Sequence, residues 1–181
     1  MKFKSLIIIF SFLTLSISSQ NSENKWTFGV SLASAQYSTD FQAKALGGQF
    51  IYQSPRFNIS KYMFANITLD GGISTSIGDT QKYTTFDGTL RYDFGTSNNN
   101  VVPYLLLGGS IISADRPTPT LNFGAGNTFW FSENYGLNLQ FMYKYSQDKF
   151  ESQFSHTYAS VGLVYSFGSR SMFPRLWNEN H

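Results

Sequence analysis

Glu151, Ser155 and His156, in the stretch "ESQFSHTY", have the residue types of a nucleophilic catalyst. A serine attacks an acyl or phosphoryl centre only when an imidazole takes its proton and an acid orients that imidazole. Ser155 and His156 are adjacent, however, and adjacent residues on an extended chain point to opposite faces. The other histidine, His181, is at the terminus, so no set of side chains converges, and the chain is read as having no catalytic residue. Metal chemistry is disfavoured in the same way, because cysteine is absent and neither histidine is spaced with carboxylates. The glycine-rich pieces "GAG" and "LLLGGS" lack the Lys-Ser/Thr and helix of a phosphate loop, so no cofactor is expected.

Four other charged residues suggest a different role. Asp70 lies in "ITLDGGIST", Asp87 and Arg91 in "YTTFDGTLRYDF", and Lys144 in "LQFMYKYS". Each falls on the parity otherwise occupied by Thr, Ser, Gly, Asn and Gln, opposite an apolar parity. If that polar parity faces a narrow interior, unpaired charges there are costly and opposite signs should meet. Asp70–Arg91 or Asp70–Lys144 is the expected contact, with the register left open. The interior network is read as a plug, because eight strands leave room only for side chains; the other reading is an ion path with a charge gate.

The elements that must carry these residues are strands. Trp26, Phe28, Val30 and Leu32 alternate with Thr27, Gly29, Ser31 and Ala33, a period of two. Similar runs follow in "LGGQFIYQS", "MFANITLDGGIST", "YTTFDGTLRYDF", "VPYLLLGGSII", "LNFGAGNTFWF", "GLNLQFMYKYS" and "TYASVGLVYSF". The run through "VPYLLLGGSII" is apolar on both parities, so its facing stays open. Short turns are expected at "GTSNNNV" and "SENY". Longer connections are expected around residues 34–46, 77–82, 113–120 and 147–156. The sequons at Asn58 and Asn66 are read as chance, Asn66 falling inside an expected strand. Asn127 interrupts the apolar parity of its run and marks either a bulge or a contact with another subunit.

Eight such runs predict an all-β, eight-stranded antiparallel up-and-down barrel. Charged residues make up only 13% of the chain and aromatics 18%, whereas soluble domains average about 25% charged. A lipocalin-like soluble binding barrel would carry charge along its outer face, but here the polar parity is small and uncharged for most of its length. The arrangement suits a transmembrane barrel in an outer membrane, apolar side to lipid and polar side to the lumen. Trp26, Phe94, Phe131 and Phe167 fall near the short turns, and Tyr143 and Tyr145 approach the other rim, as two aromatic girdles would. The net charge of +2 without a basic patch gives no reason to expect nucleic acid.

The ends of the chain fit export. Lys2 and Lys4 precede the apolar run "LIIIFSFLTLSIS" and the small residues Ser18 and Ser19, the layout of a secretory signal. Residues 1–19 are expected to be a signal peptide, 20–168 the barrel, and 169–181 a periplasmic tail, with both mature termini periplasmic.

The segments "PYLLLGGS", "NFGAGNTFWFSENYGLNLQFMYKYS" and "VGLVYSF" resemble small outer-membrane barrels of the OmpA/OmpX type, especially the short barrel proteins of Bacteroidota. The resemblance implies an outer-membrane location, lipid contact, and a closing strand read by the barrel-assembly machinery, here Val161, Leu163, Tyr165 and Phe167. It implies a structural or accessory role in an envelope assembly, or a narrow porin-like channel for small solutes. Phe167 is not the last residue, and the tail after it is too short for a peptidoglycan-binding domain. Phe173 and Trp177 in that tail are candidates for docking another envelope protein.

Overall fold

A segment that alternates Phe28, Val30 and Leu32 with Gly29, Ser31 and Ala33 satisfies both sets only as a strand with unlike surroundings on its two sides. The computed structural model describes residues 26–37, 49–77, 83–95, 99–113, 117–146 and 155–168. They form β1 (Trp26–Tyr37), β2 (Gln49–Phe64), β3 (Ile67–Thr75), β4 (Thr84–Asp93), β5 (Val101–Ser113), β6 (Pro117–Trp130), β7 (Tyr135–Tyr145) and β8 (His156–Ser166). Each strand pairs with the next antiparallel, and β1 also pairs with β8, so the sheet closes on itself as an eight-stranded up-and-down barrel with no free edge.

Burial runs opposite to that of a soluble barrel. Leu32, Leu107 and Leu163 are 64%, 58% and 58% exposed on the outer wall, while Arg56, Lys144 and His156 inside are at most 1% exposed. The parity that the sequence left open in β5 is settled by the ladder. Leu105, Leu107 and Ile111 point outward, and Tyr104, Leu106 and Ile112 are buried inside. Phe167 N donates to Trp26 O at 3.2 Å and Ser166 N to Asn134 O at 2.7 Å, which brings the two ends of the barrel chain together beside the β6–β7 turn. Trp26, Phe94, Phe131 and Phe167 are all exposed at this end.

Several strand boundaries differ from expectation. The run "MFANITLDGGIST" is not one strand: Ala65 and Asn66 form the turn between β2 and β3, at φ of 45° and 65°. A two-residue hairpin of type I′ needs positive φ at both positions. Asn tolerates this, but Ala gives no sequence signal for it. Asn66 therefore lies in a turn rather than a strand, and β2 runs on from the expected "LGGQFIYQS" to Phe64. The expected connections at 34–46 and 113–120 are partly strand as well, with Ser34–Tyr37 in β1 and Ser113 paired with Pro117. The expected signal segment 1–19 and the tail with Phe173 and Trp177 lie outside the described residues.

Candidate functional site

The interior holds the charged groups, and the register decides which of them meet. Arg56 on β2, Asp87 on β4 and Lys144 on β7 come together in the lumen. Arg56 Nη1 donates to Asp87 Oδ2, and Lys144 Nζ donates to Asp87 Oδ1 at 2.6 Å. Asp87 is the shared anion, with side-chain exposure of 1%. Thr85 completes its shell by donating to Asp87 Oδ1 at 2.8 Å while accepting from Lys144 at 2.7 Å. From β8, Tyr158 accepts from Arg56 at 3.2 Å and shares a hydrogen bond with Ser74 at 2.9 Å. Its ring lies 4.5 Å from Lys144 Nζ, measured to the centroid. Side chains from β2, β3, β4, β7 and β8 thus bridge the barrel at one level, and each charge of this cluster has a charged partner within hydrogen-bond reach.

A second charged group lies toward the short-turn end. Arg91 Nη2 donates to Asp93 Oδ1 at 2.9 Å, and Thr68 donates to Asp93 Oδ2 at 2.8 Å. The Arg91 guanidinium stacks over Tyr104, 4.1 Å from its centroid. Tyr104 in turn exchanges hydrogen bonds with Asn138, which donates to Thr128 at 2.9 Å. Below them Val102, Trp130 and Val164 form a buried apolar cluster. Gly126 leaves the space that the Tyr104 ring occupies, since a Cβ there would overlap it. Gly72 does the same for Arg56, whose Nη2 would lie 2.8 Å from such a Cβ.

The expected contacts of Asp70 do not form. Asp70 is paired across the ladder with Ser60, accepts from its hydroxyl, and accepts from Asn58 at 3.3 Å. Arg91 turns instead to Asp93 on its own strand, and Lys144 to Asp87. Sequence reasoning missed Arg56 and Asp93 as members of the interior set. Arg56 lies past the end of the expected run "LGGQFIYQS", although Arg56, Asn58 and Ser60 do alternate with Phe57, Ile59 and Met63. Among the described residues six charged side chains point inward: Arg56, Arg91 and Lys144 against Asp70, Asp87 and Asp93. The signs balance. Lys61 is on the outward parity, where its ammonium sits 4.9 Å from the Trp26 ring centroid.

At the opposite end His156 Nε2 shares a 2.6 Å hydrogen bond with the Tyr83 hydroxyl. Ser155 donates to Ser146 O at 3.2 Å and accepts from Ser146 N at 3.0 Å, while Glu151 lies outside the described residues. Among the described residues no group of His, Asp and Glu could hold a metal ion. On the closing strand Val161, Leu163 and Tyr165 face outward, with Phe167 just beyond it, 5.4 Å from Tyr165 between ring centroids.

Hollows occur on the outer wall. One of about 730 Å³ lies over β4–β7, between Leu90, Leu105, Leu107, Phe123 and Phe141. A second, of about 480 Å³, lies over β6–β8 between Ala125, Asn127, Leu139, Phe141 and Ala159.

No protein-family profile matches the chain, and no curated protein sequence does either. Solved structures do. The N-terminal β-barrel domain of Pseudomonas aeruginosa OprF superposes with a TM-score of 0.58 at 17% identity, covering 83% of this chain and 100% of that one. The outer membrane protein OprG from the same organism gives 0.59 at 12% identity, covering 83% and 99%. Neisserial surface protein A gives 0.53 at 17% identity, covering 78% and 97%. At these identities the likeness is one of fold.

Proposed function

We propose that this protein is an outer-membrane barrel whose lumen is closed by its own side chains, and that it serves as a structural or accessory subunit of an envelope assembly. The observation that carries the proposal is the Arg56–Asp87–Lys144 cluster, drawn from three strands and shut off from solvent. A conducting pore needs charges that solvent and ions can reach. These are instead matched to one another, and Tyr104, Tyr158 and Trp130 are buried inside the barrel as well.

The location follows from the wall. Water outside the barrel would leave Leu32, Leu107, Leu163, Phe123 and Phe141 exposed on a continuous apolar surface, far more than a soluble barrel tolerates. Lipid removes that penalty, and Lys61 near Trp26 fits the interfacial level, where a long cation reaches the headgroups. In this reading residues 1–19 direct export, both mature termini are periplasmic, and Tyr165 near the end of β8, with Phe167 just beyond it, belongs to the segment that the assembly machinery recognises.

Planar-bilayer recording from the purified, refolded protein tests the closed lumen. The expected record is a quiet bilayer at protein loadings where an open porin conducts. Large, stable open channels would establish the narrow-pore reading instead.

A further inference from the structure

Asn127 presents an amide on the outward parity of β6, between Ala125 and Phe129, and its Oδ1 is buried with no hydrogen-bond partner. It borders the 480 Å³ hollow, where small Ala125 and Ala159 leave the wall recessed beside Leu139 and Phe141. A second buried oxygen without a partner, Ser34 Oγ, lies on the outward parity of β1, and Ser34 pairs in register with Ala159. The other buried polar side-chain atoms left without partners among the described residues belong to the inward parity or to residues at strand ends. The two outward ones therefore flank the same stretch of wall, β6 to β1.

Depth sharpens the problem. Phe131 marks the short-turn end, and the stretch of β6 from there to Asn127 rises about 10 Å at roughly 3.3 Å per residue and a tilt of about 40°. That places the amide inside the ~25 Å apolar band, where acyl chains offer neither donor nor acceptor. The occupant must bring hydrogen-bonding groups to that depth.

From this we infer that the hollow over β6–β8 is the contact face for a second copy of the chain. All copies insert in one direction, so a twofold relation between them has its axis along the membrane normal, and a residue near that axis meets itself at the same depth. An amide is suited to this, because once the side chain turns outward into the hollow each copy's Nδ2 donates to the other's Oδ1 and both are satisfied. Ala125 and Ala159 let the walls approach, and Leu139 and Phe141 of each copy fill the recess of the other. The inference rests on the reading of the outer wall as lipid-facing.

The chain has no cysteine, so single-cysteine crosslinking in outer-membrane vesicles is a direct test. Ala125→Cys should give a covalent dimer under mild oxidation, while Leu69→Cys, on the opposite wall, should stay monomeric. Adding Asn127→Leu to Ala125→Cys should weaken dimerisation about tenfold, as expected for reciprocal hydrogen bonds lost in lipid, and Asn127→Gln should retain part of it. Asn127→Leu exposes only an apolar side chain to lipid, so folding is preserved. Equal crosslinking of the two cysteines, or no effect of Asn127→Leu, would overturn the inference while leaving the barrel in its membrane. A chain that resists insertion into vesicles altogether would remove the lipid-facing reading and this inference with it.

Discussion

Replacing Asp87 with Asn removes the anion that two buried cations share, while keeping nearly the same volume. Arg56 and Lys144 are 2% and 0% exposed at their side chains, so neither can turn to water, and the inward charges go from balanced to one positive in excess. Breaking a buried ion pair by removing one partner costs about 3–5 kcal/mol, which is roughly a 10²- to 4 × 10³-fold loss in the folding equilibrium. The assay is urea titration of the barrel refolded in lipid vesicles, followed by the shift of the folded band on unheated gels and by tryptophan fluorescence. Asp87→Asn should lower the midpoint without altering the dependence on urea. Pairing it with Lys144→Met removes one of the two stranded cations, and the double variant should recover part of the loss, since Arg56 still lacks its anion. If Asp87→Asn lies within about 0.5 kcal/mol of the parent, a spread typical of surface changes, the cluster is not the interior's structural centre and the closed-lumen argument fails.

Glycines separate by facing: Gly126→Ala, which would push a Cβ against the Tyr104 ring and Leu139 O, should cost about 1–3 kcal/mol, whereas Gly88→Val, where a Cβ meets nothing within 4 Å, should be neutral or stabilising in the same vesicle titration. Leu107→Arg on the outer wall should cost about 2–4 kcal/mol of stability in lipid, and a neutral result would argue against lipid at that face. Phe167→Ser should reduce the amount of folded barrel assembled in cells while leaving spontaneous insertion into vesicles close to the parent, measured as heat-modifiable protein in each case. Tyr83→Phe removes the hydroxyl bonded to His156 and should cost about 0.5–1.5 kcal/mol, read from the same unfolding curves.

Which side of a strand is apolar was legible in the sequence for most of the barrel, though not for β5, because a strand's side chains alternate faces and one misplaced residue would move the whole set. Strands β1, β4, β7 and β8 could be drawn from that period alone, and so could the inversion, since the polar parity carries Gly, Ser and Thr where a water-facing wall would carry charge. The β2–β3 turn was not legible, because Ala65 and Asn66 adopt positive φ without a glycine to announce it. Continuing the alternation through them shortened β2 and hid Arg56.

The partners inside the lumen were a matter for the tertiary structure. Asp70 and Arg91 sit on neighbouring strands, yet the ladder sets Asp70 opposite Ser60 and Thr89, and Arg91 opposite Thr68. Asp87 reaches Lys144 on β7 and Arg56 on β2, neither of them a neighbouring strand. Periodicity fixes the face that a residue occupies within its own strand. Its height relative to strands across the barrel comes from tilt and stagger, which closure sets for all eight strands together, so the pairs that Asp87 makes with Arg56 and Lys144 exist only once the last strand meets the first.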